Sequence, residues 1–184
     1  DKLLQEYYFP NPYNCDNLKE YLTTKNIPFY LVEKNNQTYI HVNSLYINYL
    51  TGLNLSGVIA KSAKINAVDL TNLDNRGFEC TDLTITNAET LSAIPQNIFV
   101  KKSLTLESNQ MLTLPANIKV ESLTVECKKL KIIPSDVQIS ELTIIHSKVE
   151  KLPPLILDSL DAKHSKITDL RHVKVKRYLD LSFT

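Results

Sequence analysis

One short motif recurs along the second half of this 184-residue chain with the spacing of a stacked array. Leu83-Thr84-Ile85, Leu104-Thr105-Leu106, Leu123-Thr124-Val125, Leu142-Thr143-Ile144 and Leu160-Asp161-Ala162 follow one another, and Leu179-Asp180-Leu181 opens a sixth copy. Their leading leucines are 21, 19, 19, 18 and 19 residues apart, a period steady enough to specify a solenoid. Ten or eleven residues into each copy an aliphatic residue meets a proline, at Ile94-Pro95, Leu114-Pro115, Ile133-Pro134 and Leu152-Pro153. Leu170-Arg171 is the departure.

The spacing has a physical reading. Alternate side chains of an extended strand face opposite ways, so Leu123 and Val125 point inward while Thr124 points out. Proline then fixes φ and removes an N–H, which suits an irregular or polyproline-like return segment rather than a helix. Each unit alone leaves its apolar edge wet, and stacking on the next copy dries it, so stability is roughly a sum of neighbour terms. Sequestering four or five aliphatic side chains contributes on the order of 6 to 15 kcal/mol per unit, before the cost of ordering the chain.

The registers resolve into L-x-x-L-x-L-x-x-N-x-L-x-x-L-P, as in Val120, Leu123, Val125, Leu130, Ile133, Pro134 and in Ile139, Leu142, Ile144, Val149, Leu152, Pro153. Over about residues 80 to 184 this resembles the leucine-rich repeat family. With such short units closing on proline, it looks most like the bacterial leucine-rich effectors. Asn109 stands at the family's asparagine position, and Ala88, Lys128, Ser147 and Ser165 stand at the matching ones. The resemblance implies an exposed strand face that binds other proteins, and a secreted or host-directed role. The ligase domain that some such effectors carry after their repeats has no counterpart in this sequence, and a viral protein that sequesters a defence component fits the same residues.

Upstream the pattern changes. Asn14 or Asp16 is positioned to cap a helix carrying Leu18, Tyr21 and Leu22, ended by Asn26-Ile27-Pro28. Phe29 to Lys34 and Gln37 to Val42 read as two strands about an Asn35-Asn36 turn. Ser44 is expected to cap a second helix through Leu45, Ile47 and Leu50, stopping near Gly52. Leu53-Asn54-Leu55 and Val68-Asp69-Leu70 read as inward-facing strands of irregular turns, 15 residues apart. The expected architecture is therefore α/β, mainly β. It comprises an N-terminal helix and hairpin cap or small domain over 1–52, irregular solenoid turns over 53–82, and leucine-rich repeats with parallel strands on one face over 83–184.

Composition narrows the function. A formal charge of +1 gives no broad field to attract nucleic acid or an anionic membrane, and no apolar run approaches the roughly 20 residues of a membrane span. Three glycines make a phosphate-binding loop or dinucleotide fold improbable. Cys15, Cys80 and Cys127 are widely spaced, which favours reduced thiols and a cytoplasmic or host-cell setting. Asp1 in place of a methionine is compatible with an upstream segment having been removed.

Outward strand positions form columns: Thr84, Thr105, Thr124, Thr143, Asp161, Asp180; then Thr86, Glu107, Glu126, Ile145, Lys163, Ser182; then Asn87, Ser108, Cys127, His146, His164, Phe183. The threonines are explained by β-propensity, and a charged neighbouring column argues against ice binding. Cys127, His146 and His164 are the one constellation with metal-ligand chemistry, yet it lacks a fourth ligand. A Cys127/His146 nucleophile pair has nothing to orient its base. His41 and His172 stand alone, and Arg171, Lys174, Lys176 and Arg177 read as a solvated basic face.

The expected function is non-enzymatic recognition of another protein, without metal or cofactor. Asp82, Ser103, Glu107, Glu126, Glu141, Ile145, His146, Asp161, Lys163 and Tyr178 are the expected contact residues. The strand from Tyr178 to Phe183 would leave a bare edge, which a second copy of the chain, as a homodimer, or further chain would cover. Two alternatives are a self-assembling structural protein and the recognition part of an enzyme whose catalytic domain lies elsewhere.

Overall fold

Among the described residues nine strands lie side by side in a single sheet in their order of sequence. The computed structural model describes residues 15–47 and 52–182. Helix α1 spans Cys15–Thr24, and the strands are β1 Phe29–Lys34, β2 Gln37–Tyr46, β3 Val58–Asn66, β4 Phe78–Thr86, β5 Ile98–Glu107, β6 Ser122–Glu126, β7 Glu141–Ile145, β8 Leu155–Asp161 and β9 Val173–Asp180. β1 and β2 form an antiparallel hairpin, and every later pairing is parallel. The result is a mainly-β parallel solenoid of about seven turns with one helix at its N-terminal end.

Local chemistry sets the first elements. Leu18, Tyr21 and Leu22 recur at helical spacing and are all buried, and the Tyr21 hydroxyl donates to the Tyr46 carbonyl at 3.3 Å, tying α1 to β2. The helix ends where Asn26 takes φ 52°, and the Ile27 N–H turns back onto the Leu22 carbonyl at 2.8 Å. Asn35 and Asn36 both take positive φ, 53° and 58°, the pair of left-handed residues that a two-residue hairpin turn needs.

Two expectations about residues 44–70 are corrected. Ser44, Leu45 and Tyr46 belong to β2 instead of a helix; Leu45 and Ile47 are buried two residues apart, the period of a strand. Leu50 lies outside the described residues. Leu53 to Leu55 is a buried irregular segment, and Val68 to Leu70 lies in a short 3-10 turn, Ala67–Leu70, that leaves β3. The actual strand is β3, where Ala63-Lys64-Ile65 replaces the Leu-x-aliphatic motif. Ala63 pairs with Leu45 before it and Leu83 after it, so the steps are 18 and 20 residues and the solenoid is regular from β2 onward.

The interior is a set of parallel columns. Leu83, Leu104, Leu123, Leu142 and Leu160 stand in one register, each at most 1% exposed, with Ile85, Leu106, Val125 and Ile144 fully buried beside them. Phe78, Ile98, Ile118, Val137 and Leu155 add a further buried column. From Ile98 on, each follows the aliphatic-proline pair closely, so the proline motif positions the entry of the next strand. One hydrophobic cluster runs from Leu18 on α1 to Ile167. The return segments are extended, bridged turn to turn at Ala93 with Ala116, Thr113 with Ile132 and Lys151 with Asp169.

The tight corners after the strands are served differently from the asparagine ladder. Asn109 is exposed, and its neighbour Ser108 accepts from the N–H groups of Gln110 and Met111 at 3.1 and 2.9 Å. Buried Ser147 accepts from the Val149 N–H, while buried Ser165 donates to the Ala162 carbonyl at 2.7 Å. A hydroxyl can act in either sense, which is why serine substitutes for asparagine here. Ala88 and Lys128 supply no such bond. Gly77 enters β4 at φ +66°, and a Cβ there would lie 2.3 Å from the Asn97 carbonyl oxygen.

Leu123 and Leu179 occupy equivalent motif positions but are 0% and 50% exposed. Leu123→Ala is expected to cost about 2–5 kcal/mol and Leu179→Ala less than about 1.5 kcal/mol, read from urea-denaturation midpoints. Equal costs would contradict the stacked interior.

Candidate functional site

The pleat that turns the leucines inward turns three other columns outward, and the strand register aligns them. Ser62, Asp82, Ser103, Ser122, Glu141, Ser159 and Tyr178 pair in one row. Tyr46, Lys64, Thr84, Thr105, Thr124, Thr143, Asp161 and Asp180 form the second. Asn66, Thr86, Glu107, Glu126 and Ile145 form the third, which the Lys163 carbonyl extends by accepting from the His146 N–H at 3.3 Å. Neighbouring members stand about 4.8 Å apart.

Several expected contact residues are held by specific partners. The Ser103 hydroxyl donates to Asp82 at 2.6 Å, locking the first row between β4 and β5. The Lys64 ammonium reaches across β4 to both oxygens of Glu107 at 2.7 Å; those bonds raise its pKa above the usual lysine range, against the opposing effect of burial. Lys163 bridges Asp161 and Asp180, each at 3.2 Å, and both carboxylates hold its ammonium above its ordinary range. Asp180 also accepts from the Ser182 backbone N–H at 2.9 Å and from the Tyr178 hydroxyl at 3.0 Å. Those bonds, Ser182 first, hold its carboxyl well below the usual range. Whatever this arrangement adds to stability is therefore present above the ordinary aspartate pKa and lost as pH falls below it. Arg177 lies 3.8 Å from Glu141 and 3.4 Å from Asp158.

Glu126 is different. It is exposed, directly beside Glu107 in the register, and in no ion pair, while Ile145 is its half-buried apolar neighbour on the next strand. Because Lys64 bonds Glu107 directly and reaches Glu126 only through longer-range attraction, the middle of the face presents one carboxylate without a direct cationic contact, next to threonines and an isoleucine. Lys64 escaped the sequence reading because Ala63 hides the strand motif, and Tyr46 because the stretch after Ser44 was expected to be a helix. The signal was available in Ser62-Ala63-Lys64-Ile65-Asn66, which parallels Asp82-Leu83-Thr84-Ile85-Thr86 twenty residues later.

Of the Cys127, His146, His164 column, the two histidines stand together facing solvent, while Cys127 is turned inward and more fully buried than expected. His146 and His164 take φ 57° and 55°, which throws both imidazoles outward, where the rings stack at 4.8 Å and 18°. Cys127 has no such left-handed turn and faces the interior, 3% exposed, with its thiol on the Met111 carbonyl. Among the described residues no group of three or more His, Cys, Asp or Glu is arranged to hold a metal ion. Cys80 is also buried, and desolvation raises its thiol to about 11. A thiol of that kind is a poor nucleophile at neutral pH.

Elsewhere a cleft of about 460 Å³ opens between the first half of β5 and residues 117–120, where the parallel ladder lapses until Ser103 meets Ser122. Comparison with family models, curated proteins and solved structures finds no significant match.

Alkylation by iodoacetamide at pH 8, followed by peptide mass mapping, checks the thiol chemistry. Cys80 is expected to react at least about 100-fold more slowly in the native chain than in urea, because the raised pKa depletes thiolate. The same shift makes native stability fall as pH rises from about 9 towards about 11, since the folded thiol keeps a proton that the unfolded one releases.

Proposed function

We propose that this chain is a non-enzymatic protein-recognition module, with the outward strand face as its contact surface. The observation that carries this reading is the register of the three outward columns, with Lys64–Glu107, Ser103–Asp82 and Lys163–Asp180 contacts bracing them across strands. Side chains fixed in advance lose little rotamer entropy on association. The complementary partner surface carries a cationic group for Glu126 beside an apolar contact for Ile145, with hydroxyl-tolerant flat ground over Thr105, Thr124 and Thr143. The leucine-rich repeat resemblance of residues 80 to 184 extends the proposal to an effector or viral protein that sequesters a host factor.

A second reading, self-association through β9, is favoured by one feature. Leu179 is 50% exposed at the register position where Leu160 is fully buried, and Tyr178 beside it is also 50% exposed.

Charge reversal at Glu126 combined with Ile145→Ala is expected to reduce partner recovery in affinity capture at least about tenfold while leaving the melting temperature within a few degrees of the parent. Undiminished recovery would exclude the strand face. Light scattering over a dilution series separates the second reading: a recognition monomer keeps its mass, whereas β9 pairing gives a mass that falls on dilution and is fixed at monomer by Leu179→Lys.

A further inference from the structure

The net charge of +1 conceals a marked local imbalance on the return segments, away from the strand face. Lys129, Lys148 and Lys166 each stand six residues after the leading leucine of their strand, and those leucines, Leu123, Leu142 and Leu160, are paired in register. The three lysines thus occupy one position on three successive turns. The buried residues that follow them, Leu130, Val149 and Ile167, keep that alignment. Lys131, Lys148, Lys151 and Lys166 surround a single groove of about 470 Å³, with Glu150 as its one carboxylate and Ile132, 57% exposed, on its wall.

Four other lysines, Lys64, Lys101, Lys163 and Lys176, each lie within 4 Å of a carboxylate. Among the described residues none of the four groove lysines has a carboxylate within 4 Å; Asp169, paired with Lys151 across the turns and attracted to it, is held directly by Arg171 at 2.7 Å. Four ammonium groups against one lining carboxylate leave the concave surface net positive, and such a surface attracts and concentrates anions. Three rungs span about 10 Å, and lysine binds phosphate as a mobile point charge.

We propose that this groove is a binding site for a compact, multiply charged phosphate ligand. Its charge is distributed over Lys148 and Lys166 at one position of two neighbouring turns, and over Lys131 and Lys151 a few residues further along theirs. The site is separate from the strand face, so it stands or falls independently of partner recognition there.

Titration of the intact chain with inorganic tripolyphosphate at low ionic strength, followed by amide chemical shifts, tests it. The expected result is one saturable event, with shifts centred on residues 129–132, 148–151 and 166. Binding should weaken at least tenfold in Lys148→Glu/Lys166→Glu and fall steeply with added salt. Lys131→Gln/Lys151→Gln, which removes charge without reversing it, should weaken binding several-fold and covers the case in which the first variant does not fold. Glu126→Arg should leave the affinity unchanged. No saturable binding, an affinity in both lysine variants equal to that of the parent, or shifts spread over other surfaces would overturn the proposal.

Discussion

A single coil of this chain has no means of keeping its leucines dry. Leu123, Val125 and Leu130 project from one turn into a space that only the turns before and after can close, and all three are fully buried because Leu104 and Leu142 stand beside them in register. Everything else follows from that dependence. It enforces a parallel sheet, because successive turns must run the same way to keep like columns together. It also makes the ends special: α1 places Leu18, Tyr21 and Leu22 into the first turn, whereas β9 leaves Leu179 half exposed.

The same constraint produces the surface. Once the inward columns are locked, the outward positions have no freedom of placement, and residues distant in sequence become neighbours. Lys64 and Glu107 are 43 residues apart yet bonded, because two turns of solenoid bring them within reach. Register thus converts a one-dimensional repeat into a two-dimensional pattern of charge. That pattern is uneven: Glu126 without a direct cationic contact on the strand face, and an excess of lysines around a groove in the return segments.

Much of this was legible in the sequence, for a physical reason. From Leu83 on, the motif uses leucine at the most buried position, so periodicity and burial coincide and the threonine row emerges as read. Before Leu83 the same position holds Ala63, whose side chain buries little area and gives little signal, and the flanking apolar pairs at Leu53 and Val68 drew the reading to the wrong segments. Ser44 to Ile47 misled because a serine before spaced apolar residues serves a helix cap and a strand equally well. The corner chemistry was hidden too. Whether residue 127 or 146 faces inward depends on a left-handed turn that cysteine and histidine do not announce, so His146 and His164 pair on the surface while Cys127 leaves their column for the interior. The lysine groove was overlooked because formal charge was summed over the chain instead of along the register, although Lys129, Lys148 and Lys166 share one motif position.

Methyl–methyl nuclear Overhauser contacts, measured on a chain labelled at leucine, valine and isoleucine methyls, test the shared interior most directly. The expected pattern is a linear chain in which Leu123 sees Leu104 and Leu142, and Leu142 sees Leu123 and Leu160, with no contact that skips a turn. Contacts that join Leu104 directly to Leu160, or that leave Leu123 and Leu142 in separate clusters, would contradict it.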